Sequence, residues 1–115
     1  MRTYYIKGKW AQSVVYDEVD DNILRQPYPL SDNQLEWQSL INAMKMISGS
    51  EEVRNSGAEI CTDHRLLYKQ LIHECRIKAN TLRPFFYEYN QLHNELSGVM
   101  IAIRLVKDNK ARDYL

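Results

Sequence analysis

Gly57-Ala58-Glu59-Ile60-Cys61-Thr62-Asp63 runs directly into His64-Arg65-Leu66-Leu67-Tyr68-Lys69-Gln70-Leu71. The first part reads as a buried strand, entered from a glycine, built of small and β-branched residues, and ended by a carboxylate. The second reads as a short helix with Leu67 and Leu71 on one side. A strand that delivers a carboxylate to the start of a helix is the junction where open α/β sheets place their ligands.

Working outward, Thr3 to Lys7 is rich in aromatic and β-branched residues and stops at Gly8, which predicts a first strand. Ser13 to Val19 predicts a second, followed by a polar turn at Asp20-Asp21-Asn22. Ile23 onward predicts a third, ended by Pro27 and Pro29, which cannot donate to a central ladder. Three short strands with tight connections make an antiparallel meander. Ser31-Asp32-Asn33 then offers capping side chains, and Trp37, Leu40, Ile41, Met44 and Ile47 recur at helical spacing. Glu36 is expected in the first turn of that helix. Ser48 to Gly57 reads as a polar loop. Beyond the central junction, Leu82 to Leu96 carries Phe85, Tyr89, Leu92 and Leu96 at helical intervals. Ser97-Gly98 stops it, and Val99 to Val106 predicts the last strand. Asn109 is placed to cap a final helix, truncated after one turn by the end of the chain at Leu115. The order β-β-β-α-β-α-α-β implies a three-layer α/β fold with a mixed five-stranded sheet and flanking helices, organised as one domain over residues 1–115.

Composition agrees with that assignment. A chain of 115 residues, 44% of them hydrophobic, has enough apolar surface for one core, and four glycines and three prolines exclude fibrous sequences. Fifteen basic residues balance fifteen acidic ones, so no global field draws the protein to nucleic acid or an anionic membrane. The longest apolar run, Val99 to Ile103, is far short of a membrane span, and the N-terminus lacks the apolar core of a secretory signal. Two cysteines, Cys61 and Cys75, form neither a disulfide framework nor a zinc-binding pattern. The expected setting is the cytoplasm, intracellular and reducing, without a membrane partner.

Three acids stand at element junctions: Glu36, Asp63 and Asp113. Carboxylates gathered at strand ends and helix starts are how proteins hold hard divalent cations. Each also has an ordinary reading, as a helix-dipole partner or a cap.

The stretch Ile60-Cys61-Thr62-Asp63-His64-Arg65-Leu66-Leu67-Tyr68-Lys69-Gln70-Leu71, with Ile72 to Asn80 and Leu82-Arg83-Pro84, resembles type 1 ribonuclease H in its compact branch. Ser31-Asp32-Asn33-Gln34-Leu35-Glu36 is similar to the T-N-N-x-x-E motif that opens that family's first helix. Asn109-Lys110-Ala111-Arg112-Asp113 is similar to the segment that carries its last aspartate. The resemblance spans nearly the whole chain. It implies a ribonuclease H-like fold, cleavage of the RNA strand of an RNA/DNA hybrid with Mg²⁺ or Mn²⁺, and a catalytic, metal-binding role for Glu36, Asp63 and Asp113 as three of the family's four carboxylates.

The fourth position departs from the family. Its first strand ends in D-G-S, with an aspartate that bridges the metals, whereas this chain reads Ile6-Lys7-Gly8-Lys9. The glycine-rich segment that follows in the family is shortened here to Lys9-Trp10-Ala11-Gln12. Three carboxylates and one ammonium suit at most one divalent ion, and Lys7 can itself serve as counter-ion to Glu36 and Asp63. Weakened or lost cleavage is the expectation, with a catalytically dead fold used for protein interaction or structure as the alternative. Arg65, Lys69, Arg76, Lys78 and Asn33 are the candidates for contact with a hybrid or other nucleic-acid duplex. His64, His73 and His93 are expected to be surface or packing residues. Cys61 is read as an inert buried thiol.

Overall fold

In the computed structural model, which describes residues 1–73 and 76–115, the sheet is built from β1 (Arg2–Lys9), β2 (Gln12–Asp17), β3 (Asn22–Pro27), β4 (Ala58–Thr62) and β5 (Ile101–Leu105). Readings that fell on Glu74 and Cys75 lie outside the described residues. The strand order is β3-β2-β1-β4-β5, antiparallel across the meander and parallel from β1 to β4 to β5. The expected mixed five-stranded sheet is therefore present, with β1 at its centre.

Register explains the two faces. Tyr4 is paired with Ile60, and Ile6 with Val15. These four side chains are buried with Trp37, Leu40, Ile41, Met44 and Ile47 from α1 (Asp32–Ser48). Tyr5 and Tyr16 alternate to the opposite face. There the covering element is a five-residue 3-10 turn, Lys110–Tyr114, which sets the Tyr114 ring 5.0 Å from Tyr16 and the Lys110 ammonium 5.6 Å from the Tyr5 ring centre. Among the described residues this is a single 3-10 turn where the sequence suggested the start of a helix.

Local chemistry sets the boundaries. Ser31 and Gln34 form a reciprocal capping box at the start of α1. The helix therefore begins at Asp32, and Glu36 lies in its second turn rather than its first. The segment 48–57, expected as a loop, contains α2 (Glu51–Ser56). The Ser50 side chain accepts from Val53 N–H, Val53 is buried, and Gly57 ends the helix at φ +86°. Asp17 closes β2 early, because its carboxylate accepts from Val19 N–H and turns the chain. Beyond β4 come α3 (Arg65–Leu71), a 3-10 turn at Asn80–Leu82 and α4 (Arg83–Glu95), close to expectation. Phe86 and Tyr89 of α4 pack edge-on against Trp37, whose indole N–H donates to Gln70 at 3.1 Å.

Two backbone features position everything near the end of β1. At Gly8 the strand passes so close to α1 that a β-carbon would sit 2.2 Å from the Leu35 carbonyl carbon. The β1–β2 hairpin then turns through Trp10 and Ala11, both left-handed at φ +54° and +57° without a glycine. This is the geometry that Asn-Gly normally supplies.

Gly8→Ala is expected to cost about 3 kcal/mol or more, since the clash is with backbone and only movement of the helix relieves it. Ala11→Gly is expected to gain about 1 kcal/mol by relieving a left-handed residue. Urea unfolding monitored by circular dichroism measures both.

Candidate functional site

The ends of β1 and β4 and the second turn of α1 converge on one ionic cluster. The Lys7 ammonium is 2.8 Å from Glu36 Oε1 and 2.9 Å from Asp63 Oδ1. Lys7 is 5% exposed and Glu36 is fully buried. The close approach at Gly8 is what permits this, and the Gly8 N–H itself donates to Glu36 Oε1 at 3.1 Å. Ser39 fixes the same strand one turn along, with its hydroxyl 2.9 Å from the Lys7 carbonyl oxygen and 2.9 Å from Ser13 Oγ.

Asp63 has a second cation. Arg112, from the C-terminal 3-10 turn, donates through Nε to Asp63 Oδ2. That turn is anchored by buried Asn109, whose amide donates to the Ile6 carbonyl at 2.7 Å and whose Oδ1 accepts from Ala111 N–H. Sequence reasoning singled out Asp113 for this position. The structure instead leaves Asp113 exposed and turns its neighbour, Arg112, onto Asp63. The expected trio of carboxylates is not assembled. Two carboxylates and two cations leave the cluster electrically neutral, where the sequence reading implied a negative site.

The electrostatics follow. Burial pushes the Glu36 carboxyl above its usual range, and hydrogen bonds from Lys7 and the Gly8 N–H only partly offset it. Glu36 Oε2 is, among the described residues, the one buried side-chain polar atom with no hydrogen-bond partner. Burial also works against the Asp63 carboxylate, but there the hydrogen bonds from Lys7 and Arg112 prevail and hold it below the ordinary value of 3.8. Asp63 therefore contributes stability at neutral pH that is lost as pH falls from 3.8 through its folded value. Glu36 acts in the opposite sense, costing stability as pH rises from 4.5 through its folded value. His64 is held below its ordinary value by burial and the nearby Lys7 charge. It serves as a cap, with Nδ1 accepting from Leu67 N–H at 3.2 Å.

These residues do not fit a divalent metal centre. Lys7 occupies one oxygen of each buried carboxylate, Arg112 takes the other oxygen of Asp63, and no third acid joins them. Among the described residues no group of three His, Cys, Asp or Glu side chains is disposed to hold a metal ion.

The five nucleic-acid candidates are all exposed but do not form one patch. Asn33, Arg76 and Lys78 share a groove of about 600 Å³ with Leu66, Gln70 and Leu82. Arg65 lies apart, in a cleft of about 490 Å³ beside Asp63, and Lys69 lines neither. Burial, with the neighbouring Glu59, pushes the Cys61 thiol up to about 12, which disfavours the thiolate. No helix among the described residues is long and apolar enough to cross a membrane.

This arrangement of sheet and helices is that of ribonuclease H structures. No protein-family model matches the sequence, and no curated protein does. Among solved structures, LC11-RNase H1 in complex with an RNA/DNA hybrid superposes with a TM-score of 0.79 at 15% identity, covering 98% of this chain and 90% of that one. The N-terminal RNase H domain of rv2228c from Mycobacterium tuberculosis, solved as a fusion with maltose-binding protein, gives 0.67 at 16% identity over 98% and 90% of the chains. RNase H1 from Halobacterium salinarum gives 0.64 at 19% identity over 98% and 89%.

Lys7→Met is expected to destabilise the fold by about 3–5 kcal/mol at neutral pH, because it leaves the Glu36 carboxylate buried with no cation beside it and Asp63 with Arg112 alone. In that variant Glu36, already raised by burial, loses the hydrogen bond and charge of Lys7 that partly offset it. The deficit should therefore shrink as pH falls toward 4–5, which urea titrations across pH will read.

Proposed function

We propose that the chain is a ribonuclease H-fold protein that binds RNA/DNA hybrid without cleaving it, Lys7 standing where the family carries its metal-bridging aspartate. One observation carries this reading: the Lys7 ammonium bound to both Glu36 and Asp63. An ammonium between two carboxylates does the electrostatic work of a cation but supplies no Lewis acid and no activated water. Cleavage by the two-metal route then has no place to begin. The likeness to LC11-RNase H1, solved with a hybrid, supports the choice of nucleic acid. The groove holding Asn33, Arg76 and Lys78 supplies two cations and an amide for backbone and 2′-hydroxyl contacts. The cytoplasm remains the proposed location.

The test is a labelled RNA/DNA hybrid incubated with the protein in Mg²⁺, in Mn²⁺ and in EDTA. Binding should be equal in all three at matched ionic strength, fall with salt by a slope of about −0.7 to −0.9 per phosphate contacted, and yield no product. Cleavage that disappears in Glu36→Ala would overturn the reading. Absence of binding at micromolar protein would leave the fold as a protein-interaction module. Lys7→Asp should acquire a melting temperature that rises with Mg²⁺, while that of the parent chain should not change.

A further inference from the structure

The cluster around Asp63 opens into a cleft whose charge is opposite to the one its fold would suggest. The cleft, about 490 Å³, is lined by Asp63, Arg65, Leu105, Val106, Lys107 and Arg112. It lies at the C-terminal ends of the parallel strands β4 and β5, where open α/β sheets receive ligands. Its walls are tied together, because Val106 N–H donates to the Thr62 carbonyl at 2.8 Å and Arg112 is fixed by Asp63. Both Asp63 oxygens are engaged by cations, so its charge is already answered. Arg112 spends only Nε on Asp63. Its terminal amino groups and the side chains of Arg65 and Lys107 make no hydrogen bond or ion pair among the described residues. With Lys7 behind them, four cations stand against Glu36 and Asp63, a net charge of +2. Asp108 and Asp113 line a separate cavity of about 270 Å³ that shares Lys107 and Arg112.

We propose that this cleft is a phosphate-monoester site, formed by Arg65, Lys107 and Arg112 and aligned by Asp63. A phosphate monoester carries about −1.5 to −2 at neutral pH and three acceptor oxygens, which matches the net charge and the planar donors of two arginines. The volume admits a group of nucleotide size rather than a bare ion. Asp63, a metal-binding acid in the resemblance, becomes the positioning residue for Arg112. The source of the phosphate rests on the reading of the chain as a hybrid binder. A strand end carrying a terminal phosphate would then be held at the place where related enzymes cut.

The experiment compares, by fluorescence anisotropy, hybrids that carry a terminal phosphate with otherwise identical hybrids that lack it. Inorganic phosphate and adenosine monophosphate are titrated separately by calorimetry against sulfate at equal ionic strength. The phosphorylated hybrid should bind about tenfold or more tightly. Arg112→Gln and Lys107→Gln should each reduce that preference, and Arg112→Lys should keep part of it. Binding of phosphate and adenosine monophosphate without hybrid binding would sustain the cleft and sink the hybrid reading. Hybrid binding indifferent to terminal phosphate, with phosphate no better than sulfate, would overturn the cleft and leave the hybrid reading standing.

Discussion

The contact on which the molecule depends is the near-collision between β1 and α1 at Gly8. Without a side chain there, the strand reaches the backbone of Leu35 and Glu36. Everything at the site is a consequence of that distance. Glu36 can bond to the Gly8 N–H, Ser39 can bridge the Lys7 carbonyl and Ser13, and the Lys7 ammonium arrives between two acids. A larger residue would hold the helix away and leave a buried lysine facing empty space.

That lysine changes the nature of the site. Buried ion pairs contribute little net stability, since desolvation consumes most of the Coulomb gain, but removing one partner is expensive. The cluster therefore behaves as an all-or-none unit. The unequal sharing of its cations, with unequal burial, explains the contrast between the two acids. Asp63, flanked by two cations, is held as a carboxylate, while Glu36, deeper and sharing one ammonium, is pushed toward its protonated form.

The sequence revealed the fold well because its elements are long enough to show their period. The meander, α1 and α4 each repeat their apolar spacing, and the strand into Asp63 is punctuated by Gly57 and the helix that follows. The six-residue α2 was hidden, being too short for periodicity, although Ser50, paired glutamates and Gly57 mark its ends. Glu36 and Asp63 were legible because each lies close to an element junction, and Lys7 because the resemblance marks its position on the first strand. Arg112 was not. In a 3-10 turn successive residues are about 120° apart, so which of Arg112 and Asp113 faces Asp63 depends on where the turn begins. Asn109 sets that phase through its bond to Ile6, a partner 103 residues away that no local pattern discloses.

The same Asn109 bond bears on how the chain folds. The central strand receives a buried hydrogen bond from a residue 103 positions away. Its parallel neighbour β4 and both acids that hold Lys7 also come from later in the sequence than the meander. A nascent chain holding β1, β2 and β3 has a meander but no parallel neighbour for β1, and Lys7 has neither acid in reach. The centre of the sheet is thus closed by contacts of high sequence separation, whose loop-closure cost must be met before they form and which slow folding.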